Sequence, residues 1–476
     1  MMSDNGMPPE GWFDCTADTR SSPKKAARAP KPNSARVITS LFKRGDQVEV
    51  GQAFLSRLRD QGDEVVFDDG ALYRYDRERH VFTVVPESEQ SRILQGFAGS
   101  RVGRDRVPLK LKRSDIVGAM KLAWDSATDV GFFAAARAGI AFENSFVEVT
   151  AESIVQHPHS PDHRARFSYP FPFVASAQPT AFLKYLGDVF RDDDDAEEKA
   201  SLIQEYMGIS LLGLAPRYQR SLTSLGPGAN GKSVLMEVAE KAMPTGACCA
   251  IAPQNWGQEY RVAMLAGKRL NLVSELPEAE IVASEAFKAV VTGDAMTGRH
   301  IRQAPFMFRP VAGHVFAANR LPPTNDQSHG FWRRHLIITF NRVFEKHEQD
   351  AKLADTLIAT ELPLIVSYFL EGARRLLEQG EYTIPPSSDV AVSAWRLSAD
   401  QVRGFLAECT HDLPLDAPKA TWARADRLYQ TYRSWAERSG HRPLASNSFG
   451  QRMGTLKGSA HTNTGSIYPV RLIVAG

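Results

Sequence analysis

Apolar positions in the middle of this chain alternate between helical spacing and the short runs of buried strands. Residues 220–225 predict a strand, although they are more polar than a buried parallel strand usually is. A helix is predicted directly after residue 231, because apolar residues then recur at Val234, Leu235, Val238, Ala239, Ala242 and Met243. Further apolar runs predict strands within 268–275, 313–319 and 336–340. Strands that alternate with helices are typical of an α/β fold with a parallel sheet.

The regions on either side of this segment have different patterns. Residues 71–75 and 80–85 predict two short strands that flank a charged turn. Beyond about residue 400, apolar spacing predicts three short helices, and residues 466–474 predict a final strand. Helices followed by a strand in this way are typical of a winged helix, which binds duplex DNA or protein. Four polar residues of this segment are candidates to face duplex DNA: Arg442, Gln451, Arg452 and Lys457.

Composition excludes several classes of protein. Of the 476 residues, 43% are hydrophobic and 24% are charged, as in ordinary globular proteins. The net charge of +2 means that any binding to nucleic acid must use local basic patches. The four cysteines have no C-x-x-C spacing, which favours a reducing compartment over a disulfide framework or a zinc site. We find no apolar run of transmembrane length and no signal peptide, so we expect a cytoplasmic protein with no membrane partner.

A phosphate-binding loop is the strongest single feature of the sequence. The pattern G-x-x-x-x-G-K-[ST] is matched without exception by Gly226, Pro227, Gly228, Ala229, Asn230, Gly231, Lys232 and Ser233. Glycines let backbone N–H groups surround a polyphosphate, and the following helix, with Val234 in its first turn, adds its positive dipole end. Lys232 then reaches the β- and γ-phosphates, and the Ser233 hydroxyl ligates Mg²⁺. The alternative is a glycine-rich turn before an ordinary helix, but the full pattern arises by chance in about one such chain in a hundred.

Two polar residues at predicted strand ends suit the hydrolysis of a bound triphosphate. Glu275 lies 42 positions after Ser233, where such enzymes hold an acid near Mg²⁺ and the attacking water. Asn319 ends the next apolar strand, where an amide orients the water that faces the γ-phosphate. A lone glutamate at a strand end is a weak signal. The 42 positions between Ser233 and Glu275 accommodate one helix and one strand, which strengthens the interpretation of Glu275 as the acid near Mg²⁺.

Five segments in one order resemble the superfamily 3 helicases of the phage, plasmid and poxvirus primase–helicase type. They are the loop 226–233, the Val-Ser-Glu end of 273–275, the Lys-Ala-Val-Val-Thr-Gly-Asp segment 288–294, the Ala-Ala-Asn end of 317–319 and the Trp-Arg-Arg element 332–334. Weaker similarity before and after these segments extends the resemblance from about residue 60 to the end of the chain.

The resemblance implies an AAA+-like P-loop NTPase core of α/β/α type that assembles as a homo-oligomeric ring, usually a hexamer. ATP and Mg²⁺ are then bound between subunits. Lys232 and Ser233 would hold phosphate and Mg²⁺, Glu275 would be the catalytic acid and a metal ligand, and Asn319 would sense the γ-phosphate. Whether Glu278 shares the metal site with Glu275 stays open.

The resemblance also implies an arginine finger offered to the neighbouring subunit. Arg333 and Arg334 are the two candidates, and we favour Arg334. Such a finger neutralises the charge that spreads over the transferring phosphoryl group.

A basic turn after residue 294 falls where the resemblance predicts a β-hairpin that grips single-stranded DNA in the channel of the ring. Its members are Arg299, His300 and Arg302, and we add Lys288 to the same set. Cations on a short hairpin suit phosphate contacts, which can be made and released at each step. The alternative is a surface turn whose arginines pair with carboxylates. Residues 101–113 form the densest basic stretch, which is either a further phosphate contact or a solvated surface.

We therefore predict four parts: a disordered basic tail over 1–38, an α+β domain over 39–190, the helicase ATPase core over 191–385 and a winged-helix-like domain over 386–476. The predicted function is an ATP-dependent DNA helicase with 3′ to 5′ polarity, acting on single-stranded and forked DNA. It would serve replication of a phage, prophage or plasmid in the cytoplasm of a bacterial host.

Two other functions are alternatives to the helicase. We recognise no primase module, so a separate primase or replication initiator is an expected partner. An ATP-regulated initiator that binds an origin and unwinds little by itself is the alternative function. A small-molecule P-loop kinase is disfavoured by the chain length and by the amide at Asn319.

Overall fold

The computed structural model describes residues 41–60, 64–176, 178–277, 284–301, 304–324, 326–463 and 465–473. The tail predicted over 1–38 lies outside these residues, as do Arg302 and Glu278. In the described part, three regions follow one another along the chain.

The first region builds three small sheets and three helices. Its elements are β1 (Leu41–Phe42), α1 (Gln47–Arg59), β2 (Val65–Asp68), β3 (Ala71–Asp76), β4 (Val81–Val84), α2 (Glu87–Gln95), β5 (Arg101–Val102), β6 (Val107–Pro108), α3 (Arg113–Ala127), β7 (Gly139–Ala141), β8 (Phe146–Val149) and β9 (Ile154–His157). The sheet orders are β1-β5-β6, β2-β3-β4 and β7-β8-β9. Helix α1 packs on α3, with Phe54 and Leu58 buried between them. The strands predicted over 71–75 and 80–85 are confirmed as the antiparallel pair β3 and β4.

The second region contains a five-stranded parallel sheet, as the alternation of strands and helices predicted. Its elements are α4 (Thr180–Val189), α5 (Ala196–Leu212), β10 (Ser221–Leu225), α6 (Lys232–Ala242), β11 (Cys248–Cys249), α7 (Glu259–Val262), β12 (Leu270–Val273), α8 (Ser284–Thr292), β13 (Met296–Arg299), β14 (Pro305–Phe308), β15 (Gly313–Ala318), α9 (His329–Trp332), β16 (His335–Thr339), α10 (Leu353–Gln379) and α11 (Pro386–Ala399). The strand order is β11-β12-β15-β10-β16, and β13 and β14 form a separate hairpin.

The two faces of the parallel sheet pack against different helices, because successive side chains of a strand point to opposite faces. Leu222 and Val315 belong to one apolar cluster with residues of α5, α6 and α10. Phe316 and Ile337 belong to another with residues of α8, α9 and α11. The strand β10 lies between β15 and β16 despite its polar composition, and the buried Ser221 hydroxyl donates a hydrogen bond to the Arg334 carbonyl at 3.2 Å.

Helix α10 corrects the expectation that no apolar segment reaches transmembrane length. With 27 residues, it is long and apolar enough to span a membrane by length and composition. It nevertheless packs against α5 and α6, and Leu357, Phe369 and Leu376 are fully buried in the core. Acidic residues such as Glu361 interrupt the apolar run, so the sequence shows no continuous apolar stretch of this length. The packing of α10 within the protein accounts for its apolar character.

The third region has the three helices predicted for the end of the chain. Its elements are α12 (Gln401–Cys409), β17 (Thr410–Asp412), β18 (Ala423–Arg424), α13 (Ala425–Arg438), α14 (Ser446–Lys457), β19 (Ala460–Thr462), β20 (Gly465–Tyr468) and β21 (Val470–Leu472). The single strand predicted over 466–474 is wrong, because β20 pairs with β18 and β19 whereas β21 pairs with β17. Pro469 separates the two strands, and its backbone cannot donate to a ladder.

Parts of the chain that precede residue 190 contribute to the core of the parallel sheet. Ile140 and Val147 share the apolar cluster of Leu222, as does Phe182 on α4. The Glu361 carboxylate on α10 accepts hydrogen bonds from the first N–H groups of α4, including that of Phe182 at 2.9 Å. The boundaries at 38, 190 and 385 stay predictions.

Candidate functional site

Three predicted site segments meet at one edge of the parallel sheet, because each follows the carboxyl end of a strand. The glycine-rich loop follows β10, Glu275 lies two residues after β12, and Asn319 follows β15 directly. Leu225 at the end of β10 pairs with Ala318 at the end of β15, so these strands end at the same level. In open α/β sheets, ligands bind outside the carboxyl ends of the strands.

The backbone of the glycine-rich loop passes through the left-handed region several times. The φ angles are +111° at Gly228, +49° at Ala229 and +88° at Gly231, and such angles favour glycine. A Cβ on Gly226 would lie 2.6 Å from the Phe340 carbonyl oxygen, so only glycine fits there. Helix α6 begins directly after the loop, as predicted, and its positive dipole end faces this site.

The Lys232 side chain is folded back into the loop. Its exposed fraction is 8%, and its ammonium donates to the Gly226 carbonyl and to Asn230 Oδ1 at 3.2 Å. Asn230 is also buried, and its Nδ2 donates to the Phe340 carbonyl at 3.2 Å. Burial lowers the pKa of Lys232 from its ordinary value. Oxygen acceptors of the loop thus hold this cation where an anionic group would compete for it.

An open cleft of about 1180 Å³ runs along the loop. The predicted residues in its lining are Gly228, Ala229, Asn230, Gly231, Lys232, Ser233, Val234, Glu275 and Asn319, whereas Gly226 and Pro227 are not among the lining residues. The cleft is slightly larger than the pockets that take drug-sized ligands, which span roughly 300–1,000 Å³. The Ser233 hydroxyl and the Glu275 carboxylate are the hard oxygen donors that Mg²⁺ prefers, so the residues present fit that ion.

One wall of this cleft was missed by the sequence analysis. It is formed by Tyr185 of α4 and by Phe344, Lys346, Glu348, Gln349, Asp350, Ala351 and Leu353 after β16. The Phe344 N–H donates to the Ala229 carbonyl at 2.8 Å, and the Tyr185 hydroxyl donates to the Gly231 carbonyl at 2.9 Å. The apolar spacing of α4 predicts a helix but not its partner, and the segment after β16 carries no motif, so the sequence offered no signal that either lines the cleft.

The two candidate finger arginines lie at the opposite edge of the sheet from the cleft. Both precede β16, whose first residue His335 pairs with Ser221 at the start of β10. Arg333 is exposed, and its guanidinium donates to Gln219 Oε1 at 2.6 Å. Neither arginine can reach the cleft of its own subunit from this position.

Arg334 is buried, unlike its neighbour. Its guanidinium donates to Thr292 Oγ1 at 2.8 Å and to the Gly330 carbonyl, and burial followed by the nearby charge of Arg333 lowers its pKa. A guanidinium that is engaged within its own subunit is poorly placed to reach another one. These contacts favour Arg333 over Arg334 for a role at a neighbouring subunit, contrary to our preference from the sequence.

The β-hairpin predicted after residue 294 is present as β13 and β14, in which Arg299 pairs with Pro305. His300 follows β13, and its ring stacks on Phe306 with centroids 5.0 Å apart. Ile301 is 78% exposed beside it. Arg302 lies outside the described residues, so the structure does not describe this member of the set.

Lys288 has a partner in its own chain. It lies on α8, and its ammonium forms an ion pair with Asp326 Oδ2 at 2.8 Å. Burial by itself would raise the pKa of Asp326, but hydrogen bonds from Lys288 and Ser328 outweigh it and lower that pKa to about 2. This ion pair gives the Lys288 ammonium a partner within its own chain, and its contact with DNA stays a prediction.

Two of the four candidate DNA contacts in the third region are also engaged elsewhere. Arg452 donates to Asp400 Oδ2 at 2.6 Å, and Lys457 forms an ion pair with Asp412. Among the described residues, no group of three or more His, Cys, Asp or Glu side chains is arranged to hold a metal ion.

Comparisons with known proteins agree with the resemblance carried by the motifs. Residues 225–334 match a family of unknown function, DUF5906, and residues 397–461 match the family described as poxvirus D5 protein-like. A protein of Acanthamoeba polyphaga mimivirus named "Putative helicase" is 24% identical over 250 residues, which cover 44% of this chain. The matched part spans only 24% of the mimivirus protein.

Solved structures of one protein resemble the chain over most of its length. The A form of the apo C-terminal region of NrS-1 has a TM-score of 0.46 and 12% identity, covering 90% of this chain and 99% of that one. A second apo structure of the same region has a TM-score of 0.45 and 13% identity, with the same coverage. The poxvirus and mimivirus matches agree with the motif order and support a relationship to primase–helicases of the phage and poxvirus type.

Proposed function

We propose that this protein is an ATP-dependent DNA helicase that acts as a homo-oligomeric ring in the replication of a phage, prophage or plasmid. The observation that carries the proposal is the cleft in which Lys232, Ser233, Glu275 and Asn319 converge from three parallel strands. The strand order of the sheet, with β10 between β15 and β16, supports an AAA+-like core.

Each residue of the cleft has a role that follows from its position. Lys232 exchanges its loop acceptors for the β- and γ-phosphates of ATP, which compensate its positive charge better than neutral carbonyl groups do. Mg²⁺ held by Ser233 and Glu275 would neutralise phosphate charge when bound. Glu275 also takes the proton of the attacking water, and Asn319 orients that water toward the γ-phosphate.

The proposed ring follows from where the arginines lie. Because Arg333 is at the far edge of its own sheet, it supports hydrolysis only if a second subunit brings it to the cleft. A finger of this kind typically raises the rate of phosphoryl transfer by about 10³–10⁵. Hydrolysis at the interface is then coupled to the β13–β14 hairpin, which moves a single strand of DNA in the 3′ to 5′ direction.

The proposal is tested by the ATPase rate with and without single-stranded DNA, beside strand separation on forks with a 3′ or a 5′ tail. Lys232→Ala removes the phosphate contact, and Lys241→Ala, an exposed lysine on the same helix, is the matched control. We expect DNA-stimulated hydrolysis and unwinding of the 3′-tailed fork, both lost in Lys232→Ala and kept in Lys241→Ala. If DNA does not change the ATPase rate and neither fork is unwound, the helicase proposal is refuted. The alternative, an ATP-regulated initiator that binds an origin, would then be favoured.

A further inference from the structure

The first region carries a patch of positive charge that the ATPase site does not use. The segment 101–113, named here the basic hairpin, contains six basic residues and only one acidic residue, Asp105. The net charge of the whole chain is only +2. Because β1 runs parallel to β5, Lys43 and Arg44 lie beside the basic hairpin and extend the patch.

The root of the basic hairpin is fixed in the core. Phe42 on β1 and Leu109 after β6 are buried, and Phe42 packs edge-on against Phe97 with ring centroids 5.7 Å apart. The Gly103 N–H donates to the Phe42 carbonyl at 2.8 Å, and the Leu109 N–H donates to the Ser100 carbonyl at 2.8 Å. The charged tip is therefore presented from a rigid base.

Four charges of the basic hairpin are not compensated within the part of the chain that the structure describes. Arg104, Arg106, Lys110 and Arg113 are exposed, and none of their side chains forms an ion pair or a hydrogen bond with any residue that the structure describes. Basic residues of the other regions, such as Arg452, do have carboxylate partners. Like charges that are held together without counter-charges repel one another, and a polyanion relieves this repulsion.

We propose that the basic hairpin binds the phosphate backbone of duplex DNA. Residues 101–113 include no aromatic side chain, whereas surfaces for single strands combine positive charge with aromatic platforms on which bases stack. Phosphate contacts position a protein on a duplex without reading its sequence. The inference rests on the proposed function in taking DNA as the partner, but it uses no residue of the cleft or of the β13–β14 hairpin.

The test measures binding of the full-length protein, without nucleotide, to a blunt duplex and to a single strand of equal length over a range of salt concentrations. The variant Arg104→Glu/Arg106→Glu reverses two charges of the tip. The matched control Arg57→Glu/Arg59→Glu reverses two exposed arginines in the last turn of α1, in the same region. Far-UV circular dichroism and the ATPase rate without DNA establish that both variants are folded.

We expect Arg104→Glu/Arg106→Glu to bind the duplex at least about tenfold more weakly, with a salt dependence reduced by about one phosphate contact per residue. Single-strand affinity and ATPase rate should match those of the control. Equal duplex binding by variant and control would overturn the inference, and so would a loss confined to the single strand. If the wild-type protein binds duplex DNA through this tip but unwinds no fork, the helicase proposal is refuted. The proposed binding of duplex DNA by the basic hairpin would still stand.

Discussion

The ring of Phe306 on the β13–β14 hairpin lies directly against Gly70, in the turn between β2 and β3. A Cβ placed on Gly70 would be 3.0 Å from Phe306 Cγ, and the φ of +76° at Gly70 also favours glycine. His300 stacks on the same ring. The first region thus contacts the β13–β14 hairpin, which we propose binds single-stranded DNA. The turn at Gly70 therefore helps to position that hairpin.

Replacing Gly70 by alanine is expected to weaken the DNA response of the ATPase. The new methyl group displaces Phe306 and with it the His300 stack, so the stimulation of hydrolysis by single-stranded DNA should fall several-fold while the basal rate is kept. Gly131→Ala is the control, because φ is +81° there but the nearest atom to an added Cβ is 3.9 Å away. Both variants should lose about 1–2 kcal/mol of folding free energy to the left-handed conformation. Equal DNA stimulation in the two variants would contradict the coupling.

Alanine substitutions at Arg333 and Arg334 are expected to affect different properties. The first should lower the ATPase rate, and the second should lower the stability of the fold. Arg333→Ala should fold normally and lose about 10³-fold or more in ATPase rate. Arg334→Ala should be destabilised by about 1–3 kcal/mol, because it removes a buried guanidinium that donates to both Thr292 Oγ1 and the Gly330 carbonyl. Urea unfolding and ATPase assays separate the two outcomes.

Mixed oligomers test whether Arg333 acts on a neighbouring subunit. Arg333→Ala subunits have an intact cleft, and Lys232→Ala subunits have an intact finger. Mixing the two inactive variants should restore part of the ATPase rate, because some interfaces then combine the intact halves. No recovery in oligomers shown to contain both chains would argue against a finger supplied by the partner.

Asn230 is expected to act on nucleotide affinity more than on turnover. Its side chain joins Lys232 to the Phe340 carbonyl, and it is buried in the loop. Asn230→Ala should lower KM for ATP by up to about tenfold, with a smaller change in kcat, because Lys232 then gives up no charged hydrogen bond to this side chain, worth about 1.5–3 kcal/mol, when phosphate binds. Asn341→Ala, an exposed asparagine beyond β16, is the control. A change confined to kcat would assign Asn230 to the chemical step.

Two buried histidines predict a loss of stability in mild acid. Burial lowers the pKa of both His314 and His335 to about 3, whereas each is about 6.5 in the unfolded chain. Between these values the unfolded state binds more protons, so the free energy of unfolding falls as pH decreases from about 6.5 toward 3. The slope is at most about 1.4 kcal/mol per pH unit for each histidine.

Denaturant unfolding at several pH values measures this slope. His314→Phe removes one of the two groups and should reduce the slope by about half, whatever its effect on absolute stability. His347→Phe changes an exposed histidine and should leave the slope unchanged. An identical slope in the wild type and in His314→Phe would show that His314 is not held neutral in the folded protein.

The amino-acid sequence alone predicted the elements whose signals are local. The loop at 226–233, helix α6 after it and the strands that end before Glu275 and Asn319 follow from residue types at short spacing. Placing the loop, the acid and the amide at the same sheet edge also follows, because parallel strands end on the same side. Local spacing did not predict that β20 (Gly465–Tyr468) and β21 (Val470–Leu472) are separate strands, because their separation depends on which strands they pair with.

Only the tertiary structure decided the relationships between residues far apart in sequence. Tyr185 reaches the Gly231 carbonyl from α4, and Arg334 is buried whereas the adjacent Arg333 is exposed. The contact of Phe306 with Gly70 joins two segments that share no pattern. Periodicity specifies the face of an element that is buried, but the partner of that face depends on how all elements pack together. That choice is a global minimum of free energy, which no short stretch of sequence contains.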